Sequence, residues 1–208
     1  MTYRFIKRLL DILVSLLAIL MLLPVFAGII VVIKRSSEAS AIFKQTRAGR
    51  YGKPFTFYKF RTMRSDVDPF GASPKSEQDP RLTKAGVFLR EYSLDELPQL
   101  FNVLKGDMSL VGPRPLYLAQ IAEWNDEQRK RLLVKPGLTG LAQIGGRGEL
   151  TKEEKLALDV EYVQKASLLL DFKIIFITLW QVLASRSIYE KKYSKTEETR
   201  GHKDKSSF

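Results

Sequence analysis

Residues 12–33 form a continuous run of uncharged, mostly apolar side chains close to the start of the chain. A helix of these 22 residues would be roughly 33 Å long at about 1.5 Å per residue, which is enough to cross a bilayer. Pro24 lies near the middle of the run, where it removes a backbone donor and clashes with the preceding turn. The pattern therefore predicts an apolar membrane helix that is broken at Pro24.

Basic residues flank this apolar run on both sides, three before it and two after it: Arg4, Lys7, Arg8, Lys34 and Arg35. Positive charge beside a membrane segment marks its cytoplasmic side, so both ends are expected on one face of the membrane. A re-entrant helix–break–helix that enters, reverses at Pro24 and returns satisfies both ends. A kinked single-pass anchor and a cleaved signal peptide, with residues 25–27 as the cleavage site, are the alternatives.

Two segments rich in β-branched and aromatic residues follow, at positions 41–47 and 55–61. The segment between them is rich in glycine and basic residues and ends in a proline, as is typical of a loop. This pattern predicts a β-hairpin whose second strand places Phe57 and Lys59 on the same face.

Later segments have helical patterns. Ser93 and Glu96 have the spacing of a capping box and Gly106 that of a left-handed helix end, which predicts a helix between them. Residues 118–134 form a charged amphipathic pattern, and residues 156–184 carry an apolar face that broadens towards the end. A helix of the last kind lies either in the head-group region of a membrane or in a protein core.

The chain contains no cysteine and a single histidine, His202, which lies in its polar tail. Disulfides, thiolate metal sites and thiol catalysis are therefore excluded, and reactive groups must be carboxylates, hydroxyls, tyrosine or lysine. Nine Lys or Arg and one acidic residue lie within residues 34–64, so this segment carries +8 of the net charge of +11. Such a segment is expected to bind phosphate, whether of a lipid, a nucleotide or a nucleic acid.

The adjacent carboxylates Asp95 and Glu96 are the best candidates for chemistry. At the predicted helix start, free N–H groups and the helix dipole favour their ionised forms. An ionised aspartate can attack phosphorus, and two carboxylates beside a diphosphate imply a divalent cation such as Mg²⁺. The alternative is structural, with Glu96 completing a helix cap and Asp95 serving as a first-turn acid.

Four cations are candidates for neutralising the remaining charge of such a site: Lys59, Arg61, Arg114 and Arg147. Pro113 and Pro115 stiffen the loop around Arg114, and a guanidinium on a rigid loop loses little entropy when it binds a phosphate. The glycines around Arg147 indicate either backbone close to a ligand or simple turns.

Four segments resemble the motifs of the bacterial sugar transferase family: FTFYKFRTM at 55–63, SLDELPQLFNVLKGDMS at 93–109, VGPRP at 111–115 and KPGLTGLAQ at 135–143. They occur in the family's order, and the similarity extends from Lys7 to about Leu183. Within the family, the chain is most similar to the small monotopic phosphoglycosyl transferases that transfer diacetylated bacillosamine phosphate in bacterial protein glycosylation.

The resemblance implies transfer of a sugar 1-phosphate from a UDP-sugar, expected to be an N-acetylated amino sugar, to polyprenol (undecaprenyl) phosphate with release of UMP. It implies that Asp95 is the nucleophile, forms a covalent phosphosugar intermediate and helps to bind Mg²⁺, with Glu96 as its partner, which either supports the metal site or accepts a proton. Arg114 is expected near the nucleotide, and Arg90 and Arg147 near phosphate. The implied location is the cytoplasmic face of the bacterial inner membrane, with membrane lipids and no nucleic acid as partners.

Pattern and resemblance together predict an α+β monotopic membrane protein with a re-entrant helix hairpin, amphipathic interfacial helices and a small β-hairpin. We divide it into a membrane hairpin (1–35), a cytoplasmic catalytic domain (36–185) and a polar basic tail (186–208). The alternative function is a membrane-tethered basic module that binds nucleic acid or acidic lipid, in which the hairpin aromatics Phe55, Phe57, Tyr58 and Phe60 would stack on bases.

Overall fold

The computed structural model describes residues 2–36, 39–67, 74, 76–146 and 150–183. Within these ranges the elements are, in chain order, α1 (Thr2–Ser36), β1 (Ile42–Ala48), β2 (Pro54–Phe60), α2 (Lys84–Glu91), α3 (Gln99–Lys105), β3 (Ser109–Val111), α4 (Asp126–Arg129), β4 (Gly137–Thr139), α5 (Leu141–Ile144), α6 (Lys152–Lys165) and α7 (Leu168–Leu183). The predicted α+β class is confirmed. Arg147 and the tail at 186–208 lie outside the described residues.

The apolar N-terminal segment forms one helix, α1, which continues through Pro24 where the sequence predicted an interruption. Proline removes one intrahelical hydrogen bond, but a proline flanked by good helix formers bends a helix rather than ending it. By its length and composition α1 is able to cross a membrane. One face of α1 is buried at intervals of three, four or seven residues, for example at Ser15, Ile19, Phe26, Ile29 and Ile33, and the other exposes large apolar side chains.

An ion pair joins the start of α1 to the start of α7. The Lys7 ammonium and the Tyr3 hydroxyl donate to the Asp171 carboxylate at 2.8 and 3.0 Å. The buried Tyr162 hydroxyl of α6 donates to the other oxygen of Asp171 at 2.7 Å. The N-terminal turns of α1 are therefore bound to the part of the chain that follows the membrane segment.

A second set of polar contacts joins α1 to α3 and β3. Arg8 donates to the carbonyl oxygens of Val103 and Leu104, at 2.6 and 2.9 Å. These carbonyls belong to the last turn of α3, where a helix leaves its acceptors unpaired. The buried Asp11 carboxylate accepts from the Leu110 backbone N–H at 2.9 Å.

The second half of α1 packs on the hairpin and on the helices beside it. The Phe26 ring contacts the rings of Phe60 and Phe101, with centroid distances of 5.5 and 5.7 Å. Ile29 and Ile33 belong to the same buried cluster as Phe60 and Leu89. This cluster fixes β2 and α2, which both carry candidate site residues, against α1.

β1 and β2 form the predicted antiparallel hairpin. Phe43 lies opposite Lys59, Gln45 opposite Phe57, and Arg47 opposite Phe55. Because side chains two positions apart on a strand point to the same face, Phe57 and Lys59 lie on one face of β2 as predicted.

β3 and β4 form a parallel pair, with Ser109 opposite Gly137 and Val111 opposite Thr139. A Cβ placed on Gly137 would lie 2.1 Å from the Gly112 nitrogen, so only glycine fits this position. The Gly137 N–H donates to the Pro113 carbonyl at 2.9 Å. This close backbone approach holds the start of the Pro-Arg-Pro loop at residues 113–115.

Several helix boundaries differ from the predicted ones. The predicted capping box at Ser93 is wrong, because Ser93 adopts a left-handed conformation (φ +55°) and its side chain makes no capping hydrogen bond. A 3₁₀ turn, Leu94–Glu96, precedes α3, which ends as predicted at Gly106 with φ +98°. Residues 118–134 form short 3₁₀ and α segments in place of one helix. Asn125 interrupts that pattern, because its side chain caps a new helix start.

Candidate active site

Asp95 lies in the 3₁₀ turn between α2 and α3, and its side chain is buried with 6% of the residue exposed. The left-handed Ser93 reverses the chain immediately before this turn. Positive φ is uncommon for a residue with a Cβ, and such strained positions cluster at functional sites. The turn directs adjacent carboxylates to different surroundings, with Asp95 buried and Glu96 partly exposed.

Burial, and after it the negative charge of Glu96, raise the pKa of Asp95 to about 6. Lys59, Arg90 and Arg114 act in the opposite direction. The sequence predicted that a helix start would favour the ionised form of Asp95, and this prediction is wrong. Asp95 precedes α3, and the loss of water around its carboxylate has the larger effect on its pKa. At pH 7 the ionised form still exceeds the protonated form by about tenfold.

Lys59 extends from β2 towards the carboxylate pair. Burial lowers its pKa to about 8, while Asp95 is the strongest of the charges that raise it. A lysine with this pKa is mostly protonated at pH 7, by about tenfold. The hairpin thus supplies a poorly hydrated cation to Asp95.

The structure brings Arg90 into the site but directs Arg61 elsewhere. Arg90, on α2, donates from Nε to the Thr62 hydroxyl at 3.0 Å and acts electrostatically on Asp95. Arg61 donates from Nε to the Ser40 carbonyl at 2.9 Å. It is not among the charges that act most strongly on Asp95.

Arg114 forms an ion pair with Glu96, with 2.7 Å between Nη2 and Oε1. The two side chains are 51% and 23% exposed. An ion pair this open to water contributes little stability, about 0–1 kcal/mol. Arg114 is therefore able to exchange Glu96 for a phosphate at low cost.

A buried ion pair that sequence reasoning missed supports the Pro-Arg-Pro loop. Arg131 donates to Asp159 of α6 at 2.7 Å and, from the same nitrogen, to the Arg114 carbonyl at 2.6 Å. The Trp124 ring packs against Arg131, with 4.9 Å between the guanidinium carbon and the ring centroid. No local motif marks this contact, since Arg131 and Asp159 are far apart in the sequence.

Asn102 fixes α3 against β2. Its amide nitrogen donates to the Thr56 carbonyl at 2.6 Å, and its amide oxygen accepts from the Tyr58 N–H at 3.1 Å. The residue is fully buried. These bonds fix β2, which carries Lys59, against α3, which follows Asp95 in the chain. Asn102 stands in the 93–109 motif, which was the only sequence signal for it.

The two carboxylates fit one kind of metal site. No group of three or more His, Cys, Asp or Glu side chains able to hold a metal occurs among the residues that the structure describes. Mg²⁺ is usually bound through one or two carboxylates, with substrate phosphates and water completing its coordination. Asp95 and Glu96 therefore fit a Mg²⁺ ion that binds together with a diphosphate.

The family model described as bacterial sugar transferase matches residues 2–185. This chain belongs to the bacterial sugar transferase family, which confirms the family resemblance seen in the motifs. The "Uncharacterized sugar transferase EpsL" of Bacillus subtilis is 43% identical over 202 residues, covering 97% of this chain and 99% of that protein. The "Exopolysaccharide production protein ExoY" of Sinorhizobium fredii is 38% identical, covering 88% of each chain.

Other relatives are longer than this chain. The "UDP-glucose:undecaprenyl-phosphate glucose-1-phosphate transferase" of Escherichia coli is 41% identical over 199 residues, covering 89% of this chain but 42% of that protein. The "Galactosyl transferase CpsE" of Streptococcus agalactiae is 45% identical, and this chain again covers 42% of it. The chain thus spans about two fifths of these two relatives and nearly all of EpsL.

Proposed function

We propose that this protein transfers a sugar 1-phosphate from a UDP-sugar to polyprenol (undecaprenyl) phosphate and releases UMP. The observation that carries the proposal is the buried Asp95 carboxylate within electrostatic reach of Lys59, Arg90 and Arg114. A carboxylate deprived of water but surrounded by cations is suited to attack an anionic phosphorus. The name of the Escherichia coli relative, a glucose-1-phosphate transferase to undecaprenyl phosphate, supports the same reaction.

The transfer proceeds in two displacements at one phosphorus. An Asp95 oxygen attacks the β-phosphorus, the bond from that phosphorus to the bridging oxygen breaks, and UMP leaves with the electron pair. An oxygen of polyprenol phosphate then attacks the same phosphorus, and the acyl phosphate bond breaks. This returns the Asp95 carboxylate and yields the polyprenyl diphosphate sugar. Charge balances in each step without a proton transfer.

The side chains around Asp95 have separate roles in this scheme. Lys59 and Arg90 offset the charge of the sugar-bearing phosphate, and Arg114 exchanges Glu96 for the phosphate that leaves. Arg147, matched by the family's motif, is proposed to bind phosphate as well. Mg²⁺, held by Asp95 and Glu96, would supply positive charge that reduces repulsion between the carboxylates and the diphosphate.

We infer a re-entrant arrangement of α1 at the cytoplasmic face of the bacterial inner membrane. A single span would place Lys7 across the membrane from Asp171, to which it is bound at 2.8 Å. In a straight helix, Arg8 and Phe26 would be about 27 Å apart, yet both contact α3, which is about 10 Å long. A bend in α1 near Pro24 brings both contacts within reach.

The alternative of a nucleic-acid-binding module has little support. Of the four hairpin aromatics offered from the sequence as stacking surfaces, Phe57 and Phe60 are only 6% and 0% exposed, and Phe55 and Tyr58 are partly exposed. Buried rings are not available to stack on bases. The basic segment that motivated this alternative is instead the source of Lys59.

A screen of UMP release across several UDP-sugars would identify the sugar that this protein transfers. The motif resemblance favours an N-acetylated amino sugar such as diacetylated bacillosamine, whereas the named relatives include a glucose and a galactosyl transferase. The panel therefore holds the UDP forms of diacetylated bacillosamine, N-acetylglucosamine, glucose and galactose. Preference for glucose or galactose would contradict the amino-sugar proposal and leave the reaction class unchanged.

The decisive experiment uses Asp95→Asn in the full-length protein in detergent with Mg²⁺ and the preferred UDP-sugar. We expect no UMP release and no mass adduct, whereas the wild-type protein without acceptor gives one adduct per chain. Asp126→Asn, which removes an exposed carboxylate from α4, is the control and keeps wild-type release. Undiminished release by Asp95→Asn would exclude Asp95 as the nucleophile.

A further inference from the structure

One face of the hairpin carries two cations towards the carboxylate pair. Arg47 on β1 and Lys59 on β2 share this face. Lys59 lies opposite Phe43, and Phe43 and Arg47 are four positions apart on β1, so they point to the same side of the sheet. Arg47 lies four positions along the strand from Phe43, the partner of Lys59, which is a separation of roughly 13 Å. The two cations therefore approach the site from opposite ends of the strand pair.

Aromatic rings hold the Arg47 side chain in place. Its guanidinium carbon lies 3.6 Å from the centroid of the Tyr117 ring and 5.7 Å from that of Phe57. The Tyr117 hydroxyl accepts from the Gln45 amide at 3.3 Å, which orients the ring. The Arg47 Nε is buried and has no hydrogen-bond partner among the residues described. The Nε donor is thus left without an acceptor from the described residues, and a phosphate oxygen is an acceptor suited to a guanidinium.

Arg47 also lies beside the Pro-Arg-Pro loop. The backbone N–H of Ala48 donates to the Leu116 carbonyl at 2.9 Å, which joins the end of β1 to the residues after this loop. Burial lowers the pKa of Arg47 to about 10, and the charge of Arg114 lowers it while that of Glu96 raises it. With Lys59 and Arg90, the two guanidinium groups make four cations around the two carboxylates Asp95 and Glu96, which leaves an excess of positive charge.

The cations of the site differ in the carboxylate that acts on them. Asp95 is the carboxylate that acts most strongly on Lys59, and Arg90 acts on both. Arg114 and Glu96 are instead the site charges that act on Arg47. Lys59 and Arg90 therefore lie beside the nucleophile, while Arg114 acts on both Asp95 and Arg47. We therefore expect the second phosphate of the substrate beside Arg114 and Arg47.

We propose that Arg47 binds, together with Arg114, the phosphate monoester that leaves as UMP in the first displacement and arrives as polyprenol phosphate in the second. The proposal rests on the proposed function. Both displacements break or form a bond between the same phosphorus and an oxygen of a phosphate monoester. The lipid phosphate must therefore approach through the space that UMP has left, and one pair of guanidinium groups serves both.

The first test compares UMP with uridine as ligands of the full-length protein in detergent, by isothermal titration. Because a charge-assisted hydrogen bond to phosphate is lost, Arg47→Gln is expected to weaken UMP binding by about tenfold or more. Uridine, which lacks the phosphate, should bind within about twofold of wild type. Arg47→Lys keeps the charge without the planar fork and should give an intermediate loss. UMP affinity within twofold of wild type in Arg47→Gln would overturn the proposal.

Lys44→Gln is the matched control, because Lys44 is an exposed cation on the same strand and on its other face. It should leave UMP affinity and melting temperature unchanged. A purely structural role of Arg47 predicts a different result: Arg47→Gln would then weaken uridine and UMP equally and lower the melting temperature. That outcome would also contradict the proposal.

The second test separates the two sources of phosphate. Protein preloaded with phosphosugar is mixed with polyprenol phosphate, and the rate of adduct loss is measured over a range of acceptor concentrations. We expect Arg47→Gln to raise the acceptor concentration for half-maximal rate by about tenfold. An unchanged value, with UMP binding weakened, would overturn the acceptor half of the proposal. If wild-type protein releases UMP from no UDP-sugar, the proposed function fails instead, while the UMP and uridine titrations still test Arg47.

Discussion

The Asp159 carboxylate lies 2.7 Å from the Arg131 guanidinium, and neither side chain is more than 4% exposed. The same guanidinium donates to the backbone carbonyl of Arg114. Asp159 of α6 thus helps, through Arg131, to position the Pro-Arg-Pro loop, and the Arg114 side chain of this loop binds Glu96. The loop is held by a buried charge pair rather than by its prolines alone.

Asp159→Asn should therefore destabilise the protein strongly. Removing one partner of a buried ion pair leaves an uncompensated charge and costs about 3–5 kcal/mol. Glu127→Gln, which breaks the exposed pair with Lys130, should cost less than about 0.5 kcal/mol. Thermal unfolding of both variants in the same detergent gives the comparison. Equal melting temperatures for the two variants would show that the buried pair does not support the fold.

The rate of UMP release should fall at acidic pH because, in the proposed mechanism, only the ionised Asp95 attacks phosphorus. With the pKa of Asp95 raised to about 6 by burial and by Glu96, the rate per substrate encounter should fall about tenfold per pH unit below this value. The measurement is kcat/KM for UMP release between pH 4.5 and 8. A pH-independent rate down to pH 5 would contradict this assignment.

Glu96→Gln should shift that acid limb to lower pH. The charge of Glu96 raises the pKa of Asp95, so its removal lowers the pKa and keeps the nucleophile ionised in more acidic solution. The maximal rate is expected to fall as well, because Glu96 is a proposed Mg²⁺ ligand. Asp66→Asn, which removes an exposed carboxylate paired with Arg64, is the control and leaves the profile in place. An acid limb that moves to higher pH in Glu96→Gln would refute the electrostatic coupling.

Asp95→Asn should make the folded protein more stable at neutral pH. The folded-state pKa of Asp95, about 6, exceeds its ordinary value of 3.8, so the native state binds more protons than the unfolded state between these values. Stability is therefore lost as the pH rises through this window, by up to about 3 kcal/mol. The asparagine variant lacks that loss, so its melting temperature should exceed that of wild type at pH 8 and approach it near pH 4. A lower melting temperature at pH 8 would contradict the sign.

Local sequence pattern predicted those features that depend on neighbouring residues. The alternation in residues 55–61 placed Lys59 on the correct face of the hairpin, and Gly106 marked the end of α3 because its positive φ suits glycine. The adjacent pair at Asp95 and Glu96 identified the centre of the candidate site. These signals are short in range, and each follows from the geometry of one turn or one strand.

The remaining features depend on contacts between distant parts of the chain. Arg131 meets Asp159, and Arg47 stacks on Tyr117, only after several elements have packed. The raised pKa of Asp95 likewise follows from burial that no local pattern reports. The capping box at Ser93 was wrong for a similar reason, since tertiary packing selected a left-handed turn over a helix start.

The proposed re-entrant arrangement of α1 predicts that both ends of the helix face the same compartment. The chain has no cysteine, so single cysteines at Thr2 and at the exposed Lys53 report on sidedness without interference. In intact bacteria, an impermeant maleimide should label neither Thr2→Cys nor Lys53→Cys, and both should react after permeabilisation. Labelling of Thr2→Cys alone in intact cells would establish a single span, which is incompatible with the contact between Lys7 and Asp171.

Lys7→Met, which removes the cation that binds Asp171, should keep the same labelling pattern but lower the melting temperature, because the buried Asp171 carboxylate then loses its ion pair.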